Sequence, residues 1–189
     1  MAQAKSLSQA EFASLLDAIS AGRYPSRDRL MLLLTFYAGL RVGEVAALKL
    51  GDVLNRDGSG KRELRLSPDQ TKGRKSRCVM ISERLAEEIR AYASVELRGL
   101  AEPLFVSQKS NTFFTPGGLA NLFKSFYREA GLDNGSSHSG RRTFITNLVR
   151  GGVSVRIVQD LAGHSNMSTT QRYIDVSDIE KMNAVNKLM

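Results

Sequence analysis

The sequence of 189 residues contains a single cysteine, Cys78, and only two histidines, His138 and His164. One thiol excludes a disulfide framework and any metal site built from several cysteines. No apolar run approaches the roughly 18 residues of a membrane-spanning helix, and the first residues lack the apolar segment of a secretory signal. We therefore expect a soluble, cytoplasmic protein without disulfides and without a membrane partner.

Common catalytic signatures are also missing. The sequence has no P-loop, GxGxxG, HExxH or GxSxG pattern, and no carboxylate cluster has the spacing of a metal site. A two-metal nuclease is therefore unsupported, and we expect neither a metal nor a cofactor. Because no repeat, low-complexity tract or linker is visible, residues 1–189 are expected to form one domain.

Positive charge is what the sequence has in excess. Lys and Arg number 27 against 19 Asp and Glu, and the formal net charge is +8. Arginine supplies most of the basic residues, and its planar guanidinium group suits phosphate oxygens. Such a balance points to nucleic acid or to an anionic membrane surface, and charge alone does not choose between them.

Local patterns predict a mainly helical fold with a small antiparallel β-sheet near its front. Ser8 and Glu11 match a capping box at the start of a first helix, and a second, apolar helix is predicted from Ser26 to Tyr37. Alternation and turn residues predict two or three strands within 52–81, with a basic turn between them. Further helices are predicted after Ser82 and Thr115 and over 138–150, 154–162, 168–173 and 176–189.

Three basic positions each allow two interpretations. Arg41 closes the apolar second helix, so its charge needs a ligand or a partner, and Glu44 is the nearest candidate. His138 and Arg141 share one helix face, and Lys72 lies in the basic turn. Alternatively, Arg41 and Glu44 form a purely structural ion pair. His138 and Arg141 would then belong to a solvated helix end, and Lys72 would be a solvated loop lysine.

Tyr173 follows His164 by nine residues, which on one continuous helix would place the two on opposite faces. Gly163 is a natural helix stop, and Ser168 with Gln171 matches a second capping box. We therefore expect the chain to break here, so that Tyr173 folds back towards His164. The alternative is a tyrosine that only packs against a helix end.

Five segments, in this order, resemble the tyrosine recombinases of the phage-integrase family. They are residues 38–44, 72–73, 138–143, 161–165 and 168–173. The resemblance implies the α+β catalytic-domain fold of that family, with no N-terminal DNA-clamping domain in this chain. The implied catalytic residues are Arg41, Lys72, His138, Arg141, His164 and Tyr173, with Glu44 as the acid that supports Arg41. Gly140 departs from the family's usual Leu, which is expected to loosen its helix.

The implied reaction cuts and rejoins DNA strands through a 3′-phosphotyrosine, without metal or ATP. Tyr173 attacks the phosphorus, Arg41 and Arg141 hold the non-bridging oxygens, His138 is the candidate base and Lys72 the general acid.

Double-stranded DNA is the implied partner, with self-association of the protein on it. Arg74, Lys75 and Arg142 are expected to contact the DNA. The predicted last helix carries an apolar stripe of Ile179, Met182 and Val185, which would either serve association or pack onto its own domain. Two other functions remain open: a nicking-closing enzyme like type IB topoisomerases, and a DNA-binding regulator without catalysis.

Overall fold

The computed structural model describes residues 4–95, 98–164, 166–171, 173 and 186. They belong to two compact units, Met1–Phe144 and Ile145–Met189. The predicted helix over 176–189, with its apolar stripe of Ile179, Met182 and Val185, lies outside the described residues except for Asn186.

The first unit is mainly helical. Its helices are Gln9–Ser20 (α1), Pro25–Tyr37 (α2), Val42–Ala46 (α3), Leu50–Val53 (α4), Glu83–Ala93 (α5) and Pro116–Glu129 (α6), and Ser139–Arg150 (α7) begins in it. Its strands are Glu63–Leu66 (β1), Arg77–Met80 (β2), Val106–Ser107 (β3) and Thr112–Phe113 (β4), with a 3₁₀ turn at Pro68–Gln70. The second unit contains Val155–Ala162 (α8) and Met167–Gln171 (α9). The predicted fold class, mainly α with a small antiparallel sheet, is confirmed.

Helix α1 begins as predicted. The Ser8 hydroxyl accepts the Glu11 amide at 3.2 Å, and the Glu11 carboxylate accepts the Ser8 amide at 2.8 Å. This reciprocal capping box satisfies two amides that a helix start otherwise leaves unpaired. The helix ends at Ser20, directly before the predicted stop at Ala21 and Gly22.

Helix α2 is the central helix of the first unit. Its residues from Leu30 to Phe36 are all buried, and it packs against both α1 and α5. Each large apolar side chain buried in this way contributes about 1.5–3 kcal/mol. The prediction of a buried second helix is confirmed, with its start at Pro25 rather than at Ser26.

The predicted sheet is an antiparallel pair of strands, β1 and β2, in which Leu64 faces Val79 and Leu66 faces Arg77. Leu64, Leu66 and Val79 are buried, so one face of the pair covers the core. Residues 67–76 connect the two strands, and within them residues 72–76, which include Lys72, form a solvent-exposed turn. Helices α3 and α4 and the pair β3–β4 were not predicted, because elements of two to five residues are too short to show a period.

Within the described residues, no helix is both long and apolar enough to cross a bilayer. The same part of the chain holds no group of three or more His, Cys, Asp or Glu side chains arranged to bind a metal ion.

Candidate active site

A cavity of about 470 Å³ in the first unit brings together five of the predicted site residues. They are Arg41, Glu44, Lys72, His138 and Arg141. These residues come from three separate stretches of chain: the start of α3, the turn between β1 and β2, and the start of α7 with the residue before it. Asp69 and Gln70 also line the cavity.

Arg41 reaches the cavity from a sharp turn. Helix α2 ends at Tyr37, and Gly39 then adopts a left-handed conformation with φ of 63°. Any side chain at Gly39 would also collide with the ring of Phe144, because a Cβ there would lie 2.5 Å from that ring. The prediction that Arg41 closes the second helix is therefore wrong. Since the glycine turn intervenes, Arg41 is the residue before α3.

Glu44 holds Arg41 in place. Its carboxylate accepts the Arg41 backbone amide at 2.7 Å and the Arg41 guanidinium at 2.8 Å. Glu44 is only 1% exposed, whereas the Arg41 side chain is 35% exposed. The predicted pair therefore exists, and it leaves the arginine side chain accessible from the cavity.

A second arginine that sequence reasoning missed, Arg77 at the start of β2, also binds Glu44. Its Nε and Nη2 donate to the two carboxylate oxygens of Glu44 at 3.1 and 2.7 Å. Burial alone would raise the pKa of the Glu44 carboxyl. The hydrogen bonds and charges of Arg77 and Arg41 outweigh burial, so this pKa lies below its ordinary value. Glu44 is thus held as a carboxylate between two cations.

The signal for Arg77 was present in the strand pattern. In β2, alternation places Arg77 on the same face as the buried Val79. An arginine on an inward face needs an acidic partner. The local sequence does not reveal which acid this partner is, because Glu44 lies 33 positions away.

Arg141 enters the cavity from α7 and is 8% exposed. Its Nη1 donates to the carbonyl of Gly39 at 2.6 Å. Gly140 beside it packs directly against α2, where an added Cβ would lie 2.1 Å from the Thr35 hydroxyl. The expectation that Gly140 loosens this helix is therefore wrong. Because Gly140 lacks a side chain, the first turn of α7 lies close to α2.

His138 stands immediately before α7 and is exposed. Its Nδ1 lies 3.1 Å from the Ser137 hydroxyl, and its carbonyl accepts the Arg142 amide at 2.9 Å. The serine contact orients the ring through Nδ1. His138 and Arg141 both line the cavity, and their predicted catalytic roles stay predictions.

Lys72 lies in the exposed turn, which is fixed at its base by the buried Thr71. The Thr71 hydroxyl donates to the Lys75 carbonyl at 2.8 Å, and Arg74 adopts a left-handed conformation with φ of 49°. Arg74, Lys75 and Arg142 lie outside the cavity lining, so their predicted contacts with DNA stay predictions.

The second unit places Tyr173 beside His164. Their rings are stacked with centroids 6.3 Å apart, and His164 Nδ1 lies 2.9 Å from the Thr170 hydroxyl. Gly163 ends α8 in the left-handed conformation with φ of 61°. The predictions that the chain breaks at Gly163 and that Tyr173 folds back towards His164 are both confirmed.

One detail of that prediction was wrong. Helix α9 begins at Met167, and the Asn166 side chain accepts the Ser168 amide at 3.0 Å. Ser168 is therefore inside the helix rather than its cap. Asparagine caps a helix as well as serine does, and here it stands two residues earlier.

Tyr127 and Tyr92 are weaker candidates for a nucleophile than Tyr173. Tyr127 is 1% exposed, and burial raises the pKa of its phenol far above the ordinary range. Tyr92 packs against Phe105 at 5.5 Å between ring centroids.

The lining of the cavity carries more basic than acidic side chains. Arg41, Lys72 and Arg141 contribute positive charge, while the one buried carboxylate in its lining, Glu44, is already balanced by Arg77. Fixed cations at such a site stabilise a phosphate whose charge rises during reaction. Asp69 is the only other acid that lines this cavity among the described residues.

Comparison with known proteins identifies the family to which this chain is related. The sequence profile of the phage integrase family matches residues 5–180. A tyrosine recombinase of Pseudothermotoga lettingae is 36% identical over 169 residues, covering 86% of this chain and 54% of the relative. Tyrosine recombinase XerA of Thermococcus kodakarensis is 38% identical over 195 residues, covering 98% of this chain and 65% of the relative. The chain thus spans between half and two thirds of these curated relatives.

Solved structures share the fold. A crystal structure of XerA recombinase matches with a TM-score of 0.74 and 25% identity, over 99% of this chain and 66% of that one. The integrase of transposon Tn1549, solved with circular intermediate DNA, matches in fold with a TM-score of 0.81 at 18% identity, over 100% of this chain and 67% of that one. From the profile match and the two identities above 30%, the chain belongs to the phage integrase family of tyrosine recombinases.

Proposed function

We propose that residues 1–189 act as the catalytic domain of a site-specific DNA recombinase, which cuts and rejoins strands through a 3′-phosphotyrosine. The cavity that gathers Arg41, Lys72, His138 and Arg141 carries this proposal. Its cations match the phosphodiester of double-stranded DNA, and the curated relatives are named tyrosine recombinases. We infer that the protein associates with further copies on DNA, and that its soluble fold works in the cytoplasm.

The proposed reaction conserves bonds and charge. The Tyr173 oxygen attacks the scissile phosphorus and forms a P–O bond to the 3′ side, while the bond to the 5′-oxygen breaks. The phenol proton passes to His138, and the leaving 5′-oxygen takes a proton from Lys72. The 5′-hydroxyl of the partner strand then reverses these steps, so neither metal nor ATP is consumed.

The cations have a definite energetic task. A phenol of ordinary pKa near 10 is ionised to about one part in a thousand at pH 7, equivalent to roughly 4 kcal/mol. Arg41 and Arg141 lower the barrier by stabilising the phosphate, because they hold its two non-bridging oxygens as negative charge builds on them. His164, stacked on Tyr173, is proposed to orient the nucleophile.

A nicked suicide substrate tests the nucleophile. Incubation with the protein should give a protein–DNA adduct that survives denaturation, and Tyr173→Phe should retain DNA binding and lose the adduct. Tyr92→Phe is the matched control, because it removes the same hydroxyl from a tyrosine that packs against Phe105 in the first unit. An adduct that persists in Tyr173→Phe would show that another residue attacks.

Supercoiled plasmid separates the remaining functions. A recombinase should exchange strands only when two sites are present, whereas a nicking-closing enzyme relaxes a plasmid with one site. A regulator without catalysis would bind and change neither. The reaction should proceed in EDTA, and activity that depends on added magnesium would contradict the proposed chemistry.

Lys72 is proposed to protonate the leaving oxygen rather than to clamp phosphate. A substrate with a 5′-thiol leaving group needs no proton, so Lys72→Ala should cleave it almost normally. Lys109→Ala is the control, because it removes an exposed lysine outside the cavity lining, and it should leave both substrates nearly unaffected. If Lys72→Ala is equally slow on both substrates, the lysine only holds phosphate.

A further inference from the structure

Arg77 is a buried cation for which the proposed reaction has no direct use. Its side chain is 11% exposed, and it lies outside the lining of the cavity. Its bidentate contact with Glu44 is nevertheless one of the best-formed ion pairs among the described residues, with Nη2 and Oε2 2.7 Å apart.

The geometry places Glu44 between two arginines of different accessibility. Arg77 and Arg41 both donate to the same buried carboxylate, and only Arg41 opens onto the cavity. A carboxylate that had Arg41 as its sole counter-ion would cancel most of the Arg41 charge. With Arg77 present, the three groups together carry one positive charge, and it is exposed at Arg41.

We propose that Arg77 is a positioning residue for strand cleavage: it balances Glu44, so that Arg41 keeps its orientation and presents its charge to the scissile phosphate. This inference rests on the proposed function, because it concerns the same cavity. In this proposal Arg77 acts through Glu44 rather than by contact with the scissile phosphate.

The fork geometry explains why an arginine is present. Two parallel N–H donors match the two carboxylate oxygens and fix the carboxylate plane. That plane in turn sets where the Arg41 guanidinium lies, because the same carboxylate accepts both the Arg41 amide and its Nη1. A lysine at position 77 would restore the charge without fixing the plane.

Three variants isolate this role in single-turnover cleavage at saturating protein. Arg77→Met should slow cleavage about 10- to 100-fold, the range for removing an outer-shell partner of a functional side chain. Its DNA affinity should stay within a few-fold of the unchanged protein. Arg56→Met is the matched control, because it removes one positive charge from an exposed turn and should cleave normally.

The double variant Arg77→Met with Glu44→Gln distinguishes charge balance from a direct DNA contact. If Arg77 serves to balance Glu44, removing the carboxylate charge should recover part of the rate lost in Arg77→Met. Recovery is partial because an amide offers one acceptor oxygen for the two Arg41 donors. The double variant should also restore folding, since neither buried charge remains. If Arg77 instead contacts DNA, the second substitution would recover nothing and the affinity would fall with the rate, which would overturn the proposal.

A substrate with a methylphosphonate at the scissile position provides a readout that a merely structural role would not move. This group lacks the charge that Arg41 neutralises, so Arg77→Met should approach the unchanged protein on it, while Arg77→Lys lies between them on the ordinary phosphodiester. An equal slowdown on both substrates would reduce Arg77 to a structural residue. If the unchanged protein forms no adduct at all, the proposed function fails rather than this inference.

Discussion

The cavity of the first unit and the His164–Tyr173 pair of the second unit are built from contacts of different range. Arg141 is tied to a carbonyl 102 positions away, and Arg77 to a carboxylate 33 positions away. His164 is instead held by Thr170, six positions on, and by the stop at Gly163. Placing the cations therefore requires the whole first unit to fold, whereas placing the tyrosine beside its histidine requires only about a dozen residues.

The difference separates two ways of losing activity. A substitution that disturbs the first unit should lower its stability and spoil phosphate binding together. A substitution near Gly163 should affect the nucleophile with little cost in stability. Variants at the two places test this contrast, beginning with the largest expected effect.

Arg141→Met should slow single-turnover cleavage about 10²- to 10³-fold, roughly 3–4 kcal/mol in the barrier, the range for loss of one fixed donor to a developing oxyanion. The substitution also leaves the Gly39 carbonyl without its guanidinium donor. Cleavage of a suicide substrate measures the rate, and denaturant unfolding measures the stability. Arg150→Met, at the exposed end of the same helix, is the control and should cleave normally.

Glu44→Gln should destabilise the protein by about 3 kcal/mol at neutral pH, because it leaves the largely buried Arg77 without its counter-charge. The Glu44 pKa is lower in the folded protein than its ordinary 4.5, so this carboxylate stabilises the fold above that pH. Its contribution is lost as the pH falls through the folded pKa. The gap between the two proteins should therefore narrow below about pH 4.5 in urea unfolding.

Glu63→Gln is the matched control for that measurement. Glu63 lies on β1 and is 45% exposed, so its substitution should change stability little at any pH. A Glu44→Gln gap that stays constant down to pH 3 would show that the carboxylate charge is not what stabilises the first unit.

Gly39→Ala should cost about 2–3 kcal/mol of unfolding free energy. Left-handed backbone costs a residue with a side chain about 1 kcal/mol, and the contact with the Phe144 ring adds overpacking. Gly58→Ala has a similar φ of 80° but nothing within 4 Å of the added Cβ, so it should show only the backbone cost. Equal losses in the two variants would mean that the close approach of α7 does not constrain this turn.

Gly163→Ala should have the smallest effect on stability, about 1 kcal/mol for the left-handed residue. Its effect on adduct formation should exceed what such a small loss of stability would cause, because the glycine sets the direction in which the chain continues to His164. Gly152→Ala is the control in the same unit, with φ of 76° and open space around the added Cβ. Both should lose similar stability, and only Gly163→Ala should lose adduct.

The contact ranges also explain what the sequence could predict. The Ser8 capping box and the Gly163 stop depend on residues within a few positions of one another, and both predictions were confirmed. The capping box at Ser168 failed because a competing asparagine stood two residues earlier. A local sequence pattern predicts the structure where no competing pattern lies within a few residues.

The cavity was harder to predict. Motif order identified Arg41, Lys72, His138 and Arg141 as members of one site, and they line one cavity. The interactions that hold them there were invisible, because neither the Gly39 carbonyl nor the Arg77 fork is encoded near its partner in the chain. Likewise, Gly140 was misjudged because the surface it meets, Thr35, belongs to a distant helix.

The peptide of Gly39 gives the two arginines of the cavity a common reference point. Arg41 is two residues along the chain from it, and Arg141 is hydrogen-bonded to its carbonyl at 2.6 Å. A substitution that moves this turn is therefore expected to displace both guanidinium groups, not one alone.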